Sequence, residues 1–388
     1  MVLFNFFHLM AWPYLQSRPR SWPAPAKLFD PARAVDLYGS YIDEMALADE
    51  LGFDWVGCNE HHFSPFGLMA SPTVMGGALT QRVKRARIAM MGSIIPLNDP
   101  VRLAEEYAML DVMSGGRLIA GMIRGTAHEQ LAYHTNPDES RDRYEEAFEL
   151  ILKCWTEPEP FGWQGKYFQY RTISIWPQPL QKPHPPIYIP AGSVQSVHFA
   201  LRRRVGIGAA FVSMDRAKEQ FDLYRKLAGD QGWQPPPANF LYDHVIHVQT
   251  DGDAARRTIG EATTYFRKEL LGPITSSLEM VVQGTKYITP EERARRRGVG
   301  AETMATMDLP QQIEQGYVSV GTPDEVVEQL TRVIKHTGVG VVNARFHVGT
   351  MTHEQAAASM RLFAKEVLPR VRGLGQQDAP PPSPTVAG

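Results

Sequence analysis

Residues 41–63 read Tyr41-Ile42-Asp43-Glu44-Met45-Ala46-Leu47-Ala48-Asp49-Glu50-Leu51-Gly52-Phe53-Asp54-Trp55-Val56-Gly57-Cys58-Asn59-Glu60-His61-His62-Phe63. The first eleven carry apolar side chains at helical spacing and stop at Gly52, the residue type favoured just past a helix. The next seven are an apolar strand-forming run that leads directly into two imidazoles and a carboxylate. A helix handing over to a buried strand, with reactive groups at the far end of that strand, is the unit of a parallel sheet wrapped by helices. If the strand persists through the polar run, Glu60 and His62 share one face and His61 takes the other. One histidine then looks into the pocket.

The same unit recurs along the chain. Strand-like runs lie near residues 2–8, 53–59, 86–95, 117–123, 186–191, 205–212, 240–248 and 339–347, each bounded by glycine, proline or charge, with helical patterns between them. Pro100 to Met113 is one such helix, with proline at its first position and Ser114-Gly115-Gly116 as its stop. Eight alternations predict a (β/α)₈ TIM barrel, whose chemistry gathers at the C-terminal ends of the strands. Residues 9–33, with several prolines and tryptophans, and an insertion at about 258–318 exceed ordinary connections and read as lids or binding loops. We expect one domain over 1–372 and a disordered tail over 373–388.

Composition narrows the function. A chain of 388 residues, 43% hydrophobic and 21% charged, can bury a large core. Forty basic against 42 acidic residues give a formal charge of -2, which offers no global field for nucleic acid or an anionic membrane. Cys58 and Cys154 form no C-x-x-C pair and no disulfide framework, and no segment reads as a leader or a membrane span, so the cytoplasm is the expected location.

Several strand ends carry candidate chemistry. At the second, Glu60-His61-His62 can be read as a general base, a satisfied structural pair or a metal site, but no spaced His pair supports the metal. We expect none. Glycine inside the third strand, at Gly92, marks either a bulge with close backbone approach or plain packing space. After it, Asp99 and Pro100 form a helix cap, which leaves Asn98 to bond a ligand. Arg124 beside Gly125 at the fourth strand end suits a phosphate or carboxylate, whereas Arg143, in the Ser140-Arg141-Asp142-Arg143 start of a helix, reads as part of a surface salt-bridge cluster. The turn Ala191-Gly192-Ser193-Val194-Gln195-Ser196 can meet an anion with backbone N–H groups and hydroxyls, and Ser193 or Ser196 can equally cap the following helix. G-x-G-x-x-G and P-loop patterns are absent, which argues against a resident nicotinamide domain.

Taken together, Glu44 to Gly67, Pro100 to Glu105, Ser114 to Arg117, Arg124-Gly125, Glu139 to Arg141, Pro186 to Ser196 and Gly321 to Val326 resemble the bacterial luciferase-like flavin monooxygenases. The resemblance implies a barrel that takes reduced FMN from a separate NAD(P)H:flavin reductase, adds O₂ at the flavin C4a and oxygenates a small or medium apolar organic molecule. It implies that His61 is the catalytic imidazole. It also implies FMN binding by Arg124, Arg141, Ala191, Gly192, Ser193 and Ser196, and a non-prolyl cis peptide at Met91-Gly92 beneath the flavin ring. Ala191 and Gly192 stand where luciferase has a carboxylate and a serine, which shifts the serine contact to Ser193. A homodimer is the family expectation. Relatives that transfer hydride through a deazaflavin, and catalytically idle accessory subunits, supply the alternatives, with a metal-dependent barrel hydrolase as a third. The aromatic stretch with Trp12, Tyr14 and Trp22, and the insertion, would shape the substrate pocket.

Overall fold

The computed structural model describes residues 1–15, 17, 19, 22–274 and 306–375. The barrel strands are β1 (Leu3–Phe7), β2 (Trp55–Cys58), β3 (Arg87–Ile94), β4 (Leu118–Ile123), β7 (Ile187–Pro190), β8 (Gly206–Ala209), β9 (Phe240–Val248) and β11 (Val341–Arg345). Every neighbouring pair is parallel. Pairing of β8 with β9 and of β11 with β1 closes the ring, so the expected (β/α)₈ barrel is the observed fold. Trp55, Ala89, Ile119, Tyr188, Leu241 and Val341, from six strands, pack together as the filling of the barrel. Phe4, Phe6, Phe53, Phe346 and Phe363 pack ring on ring between strands and helices.

Two elements were not anticipated. A ninth strand, β10 (Val318–Gly321), pairs with Val245–Val248 of β9, along the edge that β8 occupies lower down at Phe240–Tyr242. Its four residues are too few to show a period, and they sit at the end of the predicted 258–318 excursion. An antiparallel hairpin, β5 (Phe161–Gln164) and β6 (Gln169–Ile173), lies outside the barrel. The excursion opens as ordinary helix, α8 (Gly252–Tyr265), and its centre, with the tail beyond 375, lies outside the described residues.

Local chemistry accounts for the elements that carry the site. Helix α1 (Pro31–Glu50) is capped by Asp30 and ends with Gly52 at φ +83°, as its sequence requires. Asp99 accepts the N–H groups of Val101 and Arg102, each at 3.0 Å, and so starts α3 (Pro100–Met113). Gly92 is the close-approach glycine: a Cβ there would lie 2.0 Å from the Gly121 carbonyl oxygen of β4, and the β3–β4 register shifts between Met90 and Ser93. Tyr107 of α3 holds this irregularity, its hydroxyl 2.8 Å from Gly121 O and 3.0 Å from Ser93 Oγ. The Met91–Gly92 peptide is cis.

Candidate active site

The C-terminal ends of β4 and β7 open onto a cavity of about 170 Å³. Arg124, Gly125, Arg141, Gly192, Ser193 and Ser196 line it. Ser193 caps α6 (Val194–Arg203) by accepting the Ser196 N–H at 3.2 Å, and the two hydroxyls lie 2.9 Å apart. Ser193 therefore serves both as cap and as cavity wall, and Ser196 lines the cavity beside it. Two guanidinium groups, two hydroxyls and a helix N-terminus facing one small space form a set of donors matched to a phosphate. Ala191 is buried behind this wall, donating its N–H to the Gly208 carbonyl at 3.0 Å.

Two further candidates lie near this end, Asn98 held by backbone and Arg143 departing from its sequence reading. Asn98 donates its side-chain N–H to the Ile94 carbonyl at 2.9 Å, which ties down the turn after β3. Among the described residues Arg143 joins no salt-bridge cluster: it donates to the Pro96 carbonyl at 3.0 Å and lies 4.7 Å over the Phe168 ring. The hairpin, invisible in the sequence reading, supplies that aromatic surface.

Strand β2 stops at Cys58, so residues 59–62 are loop, yet the two histidines still part company. His62 Nε2 lies 2.8 Å from Glu60 Oε1, and its Nδ1 is 3.0 Å from the Tyr133 hydroxyl. Glu60 Oε2 accepts the Ile94 N–H at 2.9 Å, so this pair bolts the β2 loop to the end of β3. His61 turns the other way. Its Nδ1 is 3.2 Å from Glu129 Oε1, its Nε2 is 3.0 Å from Asn59 Nδ2, and its ring meets Phe66 edge-on at 4.7 Å. The side chain of His61 is 20% exposed against 4% for His62, which leaves His61 as the accessible imidazole.

Glu129, Asn59 and Tyr133 were not anticipated. The pattern Thr126-Ala127-His128-Glu129 carries a capping-box signal, and Thr126 and Glu129 do cap α4 (Ala127–Ala132) reciprocally. No local signal joins Glu129 to a histidine 68 positions earlier. The same short segment is tied to the wall of the first cavity, because Gln130 donates to the Arg124 carbonyl at 2.9 Å. Burial would raise the Glu129 pKa, but hydrogen bonds from His61 and Thr126 outweigh it and hold the carboxyl at about 2. Burial pushes neighbouring His128 down to about 4, so that imidazole is neutral.

A second cavity of about 470 Å³ is lined by Trp12, Leu15, Phe29, Phe63, Pro65 and Leu68, among other apolar groups. Of the aromatics expected to shape a pocket, Trp12 lines this one. Tyr14 is exposed, and Trp22 instead donates its indole N–H to the His62 carbonyl at 3.0 Å and meets His128 edge-on.

Among the described residues, His8, Glu44 and His347 are the group spaced for a metal, with ligand atoms within 4.8 Å of one another. Hydrogen bonds account for the cluster. His8 Nδ1 accepts the Met10 N–H at 2.8 Å, so its Nε2 carries the proton and donates to Glu44 at 3.1 Å. A protonated nitrogen is no metal ligand.

Comparison with known proteins identifies the family. The family model described as "Luciferase-like monooxygenase" matches residues 22–340. The alkanal monooxygenase alpha chain of Photorhabdus laumondii is 24% identical over 333 residues, covering 83% of this chain and 89% of that one. The oxygenating constituent of 3,6-diketocamphane monooxygenase from Pseudomonas putida, a type II Baeyer-Villiger monooxygenase solved with FMN, superposes with a TM-score of 0.74 at 20% identity, covering 95% of this chain and 99% of that one. An F420-dependent secondary alcohol dehydrogenase shares the fold at a TM-score of 0.64 and 16% identity, covering 96% and 99%. With most of its length matched by the family model and its strand ends gathered at one mouth, the chain belongs to the luciferase-like monooxygenase family.

Proposed function

We propose that this protein is a two-component monooxygenase that uses reduced FMN and O₂ to oxygenate a small or medium apolar molecule. The observation that carries the reading is the convergence of Arg124, Arg141, Gly192, Ser193 and Ser196 on one cavity, with the loop from Arg124 to Gln130 also holding His61 through Glu129. The FMN phosphate fits that donor set, and Gly92, packed on the Gly121 backbone, keeps side-chain bulk away from the strand ends where a ring would lie. Reduced flavin would supply two electrons to O₂, one oxygen atom entering product and the other leaving as water.

The chain's own groups take the remaining roles. Arg124 and Arg141 neutralise the phosphate, Ser193 and Ser196 orient it, and His61 moves a proton beside the reacting oxygen. The second cavity, with Trp12, Phe29 and Phe63 in its wall, suits an uncharged apolar substrate. A separate NAD(P)H:flavin reductase would deliver the reduced flavin, and homodimeric assembly in the cytoplasm completes the reading.

Titration with FMN and reduced FMN, followed by turnover under ¹⁸O₂ with a panel of apolar aldehydes and ketones, tests it. One labelled oxygen in product is the expected result. Substrate oxidation with no O₂ consumed would replace this reading with hydride transfer to a deazaflavin.

A further inference from the structure

We propose that Glu129 is the positioning residue of His61: it fixes the imidazole proton on Nδ1, so the nitrogen that exchanges protons is Nε2, and the Asn59 amide follows that exchange. The proposal rests on the reading of His61 as the proton-transferring group.

Glu129 is buried and its two oxygens have divided duties. Oε2 accepts from Thr126 N at 3.1 Å and from Thr126 Oγ1 at 2.6 Å. Those two bonds satisfy the helix cap and fix the carboxylate plane. Oε1 is thereby aimed at the loop after β2, where it faces His61 Nδ1 at 3.2 Å and accepts the His62 N–H at 3.3 Å. A capping glutamate needs only the first pair of contacts; the second pair holds a histidine. An ionised carboxylate only accepts hydrogen bonds, so Nδ1 must carry a proton. In neutral His61, Nε2 then presents a lone pair, and the Asn59 side-chain N–H lies 3.0 Å from it.

Asn59 completes the device. Its Oδ1 is buried with no hydrogen-bond partner among the described residues. Rotating the amide by a half-turn would bring that oxygen to Nε2, where it would accept from an Nε2–H. Either protonation state of the imidazole therefore finds a matched partner without moving the ring, which Glu129 on one side and Phe66 on the other hold in place. His62, with Glu60 and Tyr133 on its two nitrogens, has no such spare acceptor and remains a strut.

Long-range ¹H–¹⁵N spectra of ¹⁵N-histidine-labelled protein, with His61 assigned through His61→Ala, read the tautomer directly. In the wild type at alkaline pH the expected pattern is Nδ1–H. Glu129→Gln should mix or invert it, and should slow consumption of bound photoreduced FMN by O₂ by about 10- to 100-fold, while FMN affinity changes less than about twofold. Thr126→Val removes the hydroxyl bond to Oε2 but keeps the Thr126 N–H bond to Oε2 and the Oε1 contact with Nδ1, and should leave the tautomer in place. His61→Ala/Glu129→Gln should be no slower than His61→Ala, because a positioning group acts only through the group it positions. An Nε2–H pattern in the wild type overturns the proposal whether or not any variant folds, as does a double variant slower than His61→Ala. Full reaction in His61→Ala would instead remove His61 from the chemistry while the spectra still decide whether Glu129 sets its tautomer.

Discussion

At the scale of single residues, the two histidines after β2 show how much a neighbour's identity matters. They are adjacent in sequence, but Glu60 and Tyr133 occupy both nitrogens of His62, whereas His61 reaches Glu129 and stays partly accessible. His61→Ala should retain FMN binding and lose roughly a hundredfold in oxygenation rate, the usual size of a lost acid or base; stopped-flow turnover measures it, and an unchanged product yield would exclude the role. Arg124→Met should weaken FMN by about 10- to 100-fold, as expected for a lost charge-assisted hydrogen bond, and leave riboflavin affinity unchanged. Calorimetry with both ligands separates loss of a phosphate contact from general damage. His61, Arg124, Ser193 and Ser196 could be singled out because they fall at strand ends and match the family's motifs, although a structural pair and a helix cap were equally open readings of the histidines and serines. Glu129 was not, since a glutamate three residues after a threonine already has an ordinary reason to be there.

At the scale of elements, backbone contact sets the tolerances. A methyl group at position 92 would meet the Gly121 carbonyl oxygen at 2.0 Å and its carbon at 2.1 Å, neither of which can swing aside as a side chain does. Gly92→Ala should therefore cost at least the ~1–3 kcal/mol typical of overpacking, seen as a lower urea midpoint. Asp99→Ala removes the acceptor for two N–H groups of α3 and the partner of the Tyr170 hydroxyl at 2.8 Å. About 1 kcal/mol of stability should go with the cap, with FMN affinity unaffected. Caps and strand-interior glycines are local, and the sequence shows them plainly. β10 and the hairpin escaped because strands this short owe their existence to the partner they pair with.

At the scale of the whole molecule, one buried carboxylate joins the start of the chain to its end. Glu44 of α1 lies within 3.1 Å of His8 Nε2, 2.8 Å of His347 Nδ1 and 3.0 Å of His353 Nδ1, beside the β1–β11 seam that closes the barrel. Burial opposes its charge, yet the three imidazoles hold its pKa far below the usual carboxylate range. The His353 pKa is raised by its hydrogen bond to Glu44, so that contribution is complete below about 6.5 and disappears as pH rises through the higher folded value. His353→Gln should thus lower Tm at pH 6 and leave it unaltered at pH 9. Buried His244 and His247, depressed by desolvation to about 3 and about 4, act with opposite sign: stability falls as pH drops below about 6.5 because the unfolded chain takes up their protons first. Thermal scans from pH 4 to 9 in both proteins resolve the two contributions. The amino-acid sequence alone determined the alternating elements, the barrel they close into, and the cationic and hydroxyl groups at the rim, because helical and strand periods and cap residues are written in neighbouring positions. Only the tertiary structure decided which histidine faces outward, that Glu129 holds it, and that Asn98 and Arg143 are bonded to backbone, because those pairings depend on distances between strand ends, which no local period encodes.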